Sequence, residues 1–195
     1  MIEYTYELKI PKARVAVLIG KKGEVKKELE ELTHARFKID SLEGDVSISG
    51  EDTLGLFVAQ DIVKAIARGF NPEVAKLLLR NDYQLELMNI PDFTGKSKSK
   101  LVRLKGRVIG EDGKARKLVE ELTETHIAIF GKTVAIIGTS ANAFVAKRAM
   151  ESLLSGSPHA NVYKWLERKR RELKHREHSN IIDEIKEPYR KFKDA

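Results

Sequence analysis

The sequence has no cysteine among its 195 residues. That excludes a disulfide framework and thiolate zinc sites, and fits a reducing compartment. It also lacks any run of about eighteen apolar residues, the length that spans a bilayer. Its opening, MIEYTYELKI, has none of the basic-then-apolar layout of a secretory leader. A soluble, cytoplasmic chain is expected, with no membrane partner.

Signs of catalysis are equally sparse. TGKSK and FGKTV end like the phosphate loop of nucleotide hydrolases, but Ile90 and His126 stand where that motif needs its first glycine. His175 and His178 are spaced to share a metal, yet Lys174 and Arg176 flank them and no further ligand is placed. His34 and His126 follow two amphipathic segments at non-identical positions and read as packing or surface residues. No pair of carboxylates is marked for acid–base work. The expectation is a non-enzymatic protein without metal or cofactor.

What the chain does have is charge: 33% Asp, Glu, Lys and Arg beside 42% hydrophobic residues. This is enough apolar content for one or two packed domains and is compatible with a heat-adapted source. The net charge of +7 is unevenly spread. Residues 1–82 hold 13 Lys/Arg against 14 Asp/Glu, whereas residues 83–195 hold 23 against 15. The whole excess lies in the second half and points to a polyanion.

The stretch VLIGKKGEVKKELEEL, from Val17 to Leu32, sets Gly20-Lys21-Lys22-Gly23 ahead of a helical pattern with Val25, Leu29 and Leu32 on one face. Glycines let the backbone turn and bring amide N–H groups close to a guest. The helix N-terminus and the two lysines favour an anion, so a phosphate is the natural one. The same unit returns 90 residues later: VLIGKKGEVKKELEELTHARFKI aligns with RVIGEDGKARKLVEELTETHIAI, placing Gly110 on Gly20 and Gly113 on Gly23. With a small gap the register continues through DVSISG on TVAIIG and LFVAQDIVKAIARGFNP on AFVAKRAMESLLSGSP.

Each copy reads as strand, glycine loop, helix, two strands and a longer helix. In the first copy ARFKID and DVSISG alternate as a hairpin around Ser41 to Gly44. Asp52 caps a helix whose apolar face is Leu54, Phe57, Val58, Ile62, Ala65 and Ile66, and Gly69 ends it. In the second copy Phe130 to Lys132 form a tighter turn, Ser140 is the cap and Gly156 the stop. Asn71-Pro72 opens a short connecting helix through Leu79. The second copy also inserts DFTGKSKSKLVRLKGRV, read as a loop then a helix, with Lys96, Lys98, Lys100, Arg103, Lys105 and Arg107 leading into its glycine loop.

The order strand–helix–glycine loop–helix–two strands–helix, with G-x-x-G after VLIG or RVIG, resembles the KH domain of RNA-binding proteins. In that fold the loop clamps a single-stranded backbone. Val17, Leu18 and Ile19 with Val46 and Ile48 could furnish a groove or be core. Two such units followed by LLSGSPHANVYKWLERKRREL, with Gly156, Pro158, Val162 and Tyr163, look like the KH-domain assembly factor of the small ribosomal subunit, the partner-of-Nob-one family, in an archaeal form. The resemblance covers roughly Tyr4 to Leu173. It implies an α+β protein of two type I KH-like units, βααββα, with a helical extension. It implies binding near the 3′ end of small-subunit rRNA or its precursor, alongside the trimming endonuclease and the rRNA dimethyltransferase.

The expected domains are residues 1–70 and 83–158, joined by 71–82 and followed by a basic helical extension, 159–195. The expected RNA-binding residues are Arg14, Gly20, Lys21, Lys22, Gly23, Lys26 and Lys27 in the first unit. In the second they are Arg103, Lys105, Arg107, Gly110, Gly113, Lys114, Arg116 and Lys117. Glu111 and Asp112 depart from the pattern, since two exposed acids near a phosphate cost on the order of 1 kcal/mol each. In the extension, Val162, Trp165, Leu166 and Leu173 form a stripe expected to pack on a KH unit. Ile181, Ile182, Ile185, Tyr189 and Phe192 form a further apolar set, interrupted by Pro188. The rival readings are an RNA-tethering subunit of an exosome-like complex and a nucleotide-phosphate-dependent enzyme.

Overall fold

The computed structural model describes the backbone of residues 4–191 and the side chains of residues 4–175. The first repeat runs β1 (Tyr4–Lys9), α1 (Lys12–Ile19), α2 (Glu24–Thr33), β2 (Arg36–Ile39), β3 (Asp45–Gly50) and α3 (Thr53–Ala67). α4 (Pro72–Ala75) and a 3-10 turn (Lys76–Leu79) connect it to the second. That repeat runs β4 (Tyr83–Asn89), α5 (Pro91–Thr94), α6 (Lys98–Ile109), α7 (Lys114–Thr123), β5 (His126–Phe130), β6 (Thr133–Thr139) and α8 (Ser140–Leu154). α9 (His159–Lys191) follows and is continuous across Pro188. The apolar set from Ile181 to Phe192, and His178, lie outside the described side chains.

Each repeat has a three-stranded antiparallel sheet, ordered β1-β3-β2 and β4-β6-β5, with its helices on one face. The same local devices recur in both. α2 and α7 end at the left-handed residues His34 and Glu124, each at φ 52°. Glu30 and Glu120 then accept hydrogen bonds from the strand amides of Phe37 and Ile127, both at 2.7 Å. A carboxylate on each helix thereby fixes the strand that follows it.

Capping follows the sequence in part. The Asp52 carboxylate accepts from the Leu54 amide at 3.0 Å. Gly69, at φ 109°, lets the Phe70 amide reach back to the Ala65 carbonyl and close α3. Ser140 is not the cap of α8: it is the first helical residue, behind Thr139, and its hydroxyl bonds the Gln84 side chain at 3.2 Å. Asn71 starts α4 with its main-chain carbonyl, which accepts from Val74 and Ala75, rather than with its side chain.

The buried residues of α3 are Leu56, Ala59, Ile62, Val63, Ala65, Ile66 and Ala67. Leu54 and Phe57, expected on the core face, are 71% and 56% exposed. At about 100° per residue they fall off a stripe that begins at Leu56. On α2, Leu29 is buried while Leu32 is 47% exposed.

The two sheets differ on their outer faces. In the first, Thr5, Glu7, Ser47, Ser49, Arg36 and Lys38 share one face by register, and β3 alternates as a strand wetted on one side does. In the second the corresponding positions are Leu85, Leu87, Ala135, Ile137 and Ala128, with the exposed His126 alone polar at the edge in place of Arg36. Residues 133–138 of β6 are buried on both faces. Ala128, Ala135 and Ile137 join the core of the first repeat, with Leu77, Leu79, Tyr83 and Leu85 packed against it. A Cβ at Gly69 would come within 3.0 Å of the Phe130 Cβ. The outer face of the second sheet is thus packed against the connecting 3-10 turn and the C-terminal end of α3, which makes the two repeats one packed body.

This asymmetry predicts unequal costs at equivalent sites. Ile137→Asp should destabilise the fold by about 3 kcal/mol or more, whereas Ser49→Asp should stay within about 0.5 kcal/mol. Urea unfolding midpoints of the two variants check it.

Candidate nucleic-acid interface

Both glycine turns have the same backbone. Gly20 and Gly110 sit at φ 74°, followed by Lys22 and Asp112 at φ 54° and 52° and by Gly23 and Gly113 at φ 81° and 77°. Each turn is closed by the second glycine's amide donating to the first glycine's carbonyl at 3.3 Å. The first glycines serve close packing: a Cβ on Gly20 would lie 2.8 Å from the Val25 amide nitrogen, and one on Gly110 2.7 Å from that of Ala115. The second glycines face open space, with nothing within 4 Å. Only their left-handed backbone calls for glycine there. The pair Lys21-Lys22 in one turn and Glu111-Asp112 in the other are exposed at its tip.

The expected cations divide into two groups. Lys21, Lys22, Lys27, Arg103, Lys114 and Lys117 are exposed, and Lys26, Lys105 and Arg116 half-buried. Lys26 stands 3.9 Å from Glu30 and Lys114 3.7 Å from Glu111, loose pairs that a phosphate can displace. Arg116 donates to the Ile127 carbonyl at 3.1 Å and lies 3.8 Å from Glu120.

Arg14 and Arg107 belong elsewhere. Arg14 donates through Nε to the Ile66 carbonyl at 2.8 Å and through a terminal nitrogen to that of Phe70 at 2.5 Å, and burial lowers its pKa. Arg107 donates to the Leu153 carbonyl at 2.9 Å and to those of Gly156 and Ser157. Each guanidinium thus closes the C-terminal end of α3 or α8, where carbonyls lack helical partners. These bonds occupy Nε and one terminal nitrogen of each guanidinium, part of the five donors an arginine carries, so both side chains are tied to the fold first and have fewer donors to offer RNA. The capped carbonyls match between repeats, but the arginine comes from a different turn of the helix before the glycine loop, since at the 90-residue offset Arg14 falls on Leu104.

The apolar residues beside the first turn also separate. Leu18, Val46 and Ile48 are buried core, leaving Val17 and Ile19 half-exposed next to Gly20. On α9, Val162 and Leu166 are buried against the second repeat, with Trp165 packed on that core and beneath Arg148 at 5.7 Å. Among the described residues there is no group of three acids or histidines able to hold a metal. No described helix is long and apolar enough to cross a membrane.

Two βααββα units, each with a G-x-x-G turn between its first helices, define a tandem type I KH protein. Family models agree: a KH domain matches residues 5–65, and a eukaryotic-type KH domain (type I), the second of PNO1, matches residues 84–171. The chain is 48% identical over 171 residues to KH domain-containing protein MJ0443 of Methanocaldococcus jannaschii, covering 86% of this chain and 74% of that one. It is 32% identical over 127 residues to the Pre-rRNA-processing protein PNO1 of Coccidioides immitis, covering 65% of this chain and 50% of that one. The structure of the a/eIF2alpha–aDim2p–rRNA complex from Pyrococcus horikoshii OT3 superposes with a TM-score of 0.81 at 44% identity, covering 87% of this chain and 96% of that one. The chain belongs to the PNO1/Dim2 family of KH proteins.

The two glycines of one turn should respond differently to a methyl group. Gly20→Ala must move backbone at Val25 and is expected to cost about 3 kcal/mol; Gly23→Ala bears only the left-handed penalty of about 1–2 kcal/mol. Equilibrium unfolding of both variants would decide, and equal costs would contradict the packing role of Gly20.

Proposed function

We propose that this chain is a non-enzymatic adapter that binds single-stranded RNA near the 3′ end of small-subunit rRNA or its precursor during maturation of the subunit. The observation that carries this reading is the pair of superposable G-x-x-G turns in a chain 44% identical to a relative whose complex contains rRNA. The proposed division is into KH domains at 1–70 and 83–158, a connection at 71–82 and an extension at 159–195. The proposed binding set keeps Gly20, Lys21, Lys22, Gly23, Lys26 and Lys27 in the first domain. In the second it keeps Arg103, Lys105, Gly110, Gly113, Lys114, Arg116 and Lys117, without the two capping arginines. The trimming endonuclease and the dimethyltransferase are proposed as neighbours on the same RNA end, in the cytoplasm.

The two sites work differently in physical terms. The first turn offers lysine charge directly at the helix N-terminus. The second brings backbone amides and a surrounding basic surface to the phosphate, while Glu111 and Asp112 stay available to accept from base amino groups. Because the repeats are one packed body, binding of one site raises the effective concentration of RNA at the other, by a factor that can reach 10²–10⁴ overall.

The test is binding of a short single strand matching the mature 3′ end, against a scrambled strand and the same sequence as duplex, at fixed near-physiological salt. Tight, sequence-dependent, single-strand-selective binding is expected. Lys21→Glu/Lys22→Glu should weaken it about tenfold or more and reduce the salt slope by about one per lost phosphate contact. Equal weak binding to all three RNAs would defeat the reading.

A further inference from the structure

Repeat symmetry exposes a surface that is covered in one unit and bare in the other. Counted from Gly69 and Gly156, Ala75 corresponds to Val162 and Leu79 to Leu166. All four pack into their own repeat's core. The connection α4 with its 3-10 turn is therefore the counterpart of the first two turns of α9. After Leu79 the chain leaves for β4, whereas α9 runs on over the C-terminal end of α7. There Leu173 lines one small cavity together with Leu122 and Asn142. Arg170 and Lys174 lie 3.9 and 3.7 Å from the Glu124 carboxylate.

The corresponding place on the first repeat has no such cover among the described residues. Leu32, the equivalent of Leu122, is 47% exposed, and Leu54, next to the equivalent of Asn142, is 71% exposed. Gly55 stands in place of Asn142 and brings α3 against the end of α2, so close that a Cβ there would lie 2.3 Å from the Thr33 carbonyl oxygen. The equivalent of the helix-bearing surface is thus present and bare, with exposed apolar side chains at its edge.

Charge identifies the occupant. The two segments that form the face, residues 24–34 and 51–61, hold two lysines against seven acids; Glu28, Glu30 and Asp61 already pair with Lys76, Lys26 and Lys64, and Glu24, Glu31, Glu51 and Asp52 carry the remaining negative charge. The helix seated on the equivalent face, residues 159–175, carries six Lys/Arg against two acids around its apolar stripe. The remaining C-terminal residues, 176–195, carry five of each sign and offer no such complement. We infer that the α2–α3 face of the first repeat, centred on Leu32, Leu54 and Gly55, docks a basic amphipathic helix of a partner protein. That helix would take the place held in the second repeat by the distal turns of α9.

A fluorescent synthetic peptide of residues 159–175 serves as the probe, titrated into the full chain with anisotropy as readout. Saturable binding of one peptide per chain is expected, weakened at least tenfold in the Leu32→Ser/Leu54→Ser protein and weakened by raised salt. Both side chains are exposed, so the variant should melt like the parent; a melting curve checks that. Absence of saturable binding, or binding unchanged in the double variant, overturns the inference. A dimer of the chain in sedimentation that the double variant dissolves would overturn it too, by making a second copy the occupant.

Discussion

The packing of the second sheet's outer face against the connecting turn and the end of α3 is the contact on which the remainder of this molecule depends. Ala128, Ala135 and Ile137 leave their own repeat's core to complete the other's, so neither repeat presents the same surface it would have alone. Burying those side chains is worth roughly 25 cal/mol per Å² of apolar area. In consequence the two glycine turns are joined through a shared core and not through a linker alone. Two single-strand sites so placed, as proposed, would act together at a smaller entropic cost than a pair on a flexible linker.

Duplication has let the same parts diverge around an unchanged frame. The turns keep their backbone angles within a few degrees while exchanging Lys21-Lys22 for Glu111-Asp112. The ends of α3 and α8 are each closed by an arginine of the helix before the glycine turn, Arg14 of α1 and Arg107 of α6, but from different turns of that helix. The same exit from the last helix becomes a short bridge in one repeat and the long α9 in the other. Backbone geometry is held where a close approach forbids alternatives, as at Gly20 and Gly110. Side-chain chemistry varies where the fold leaves room.

Reading RNA affinity from charge alone overcounts cations. Arg14 and Arg107 sit near the turns in sequence and carry the right charge, yet their guanidinium groups hold helix-end carbonyls. Those carbonyls carry the partial negative charge of the helix dipole and compete for a cation with any phosphate. Lysines at exposed positions such as Lys22 and Lys117 have no comparable partner among the described residues and are the cations the proposal assigns to phosphate.

The sequence by itself determined the repeat, the order of its elements, the positions of the turns, the cap at Asp52 and the stops at Gly69 and Gly156. Each of these rests on local backbone constraint or on periodicity within a few residues. The continuous apolar run of TVAIIG against the alternating DVSISG also contained the sign of a sheet buried on both faces. Only the tertiary structure decided which face of α3 is core, that Ser140 follows its cap, which arginines are structural and what lies over Leu122 but not over Leu32. Those outcomes depend on groups brought together from some 50 residues away, such as Arg14 and Ile66 or Arg107 and Ser157. Partners at that separation are chosen by packing, which no short window of sequence records.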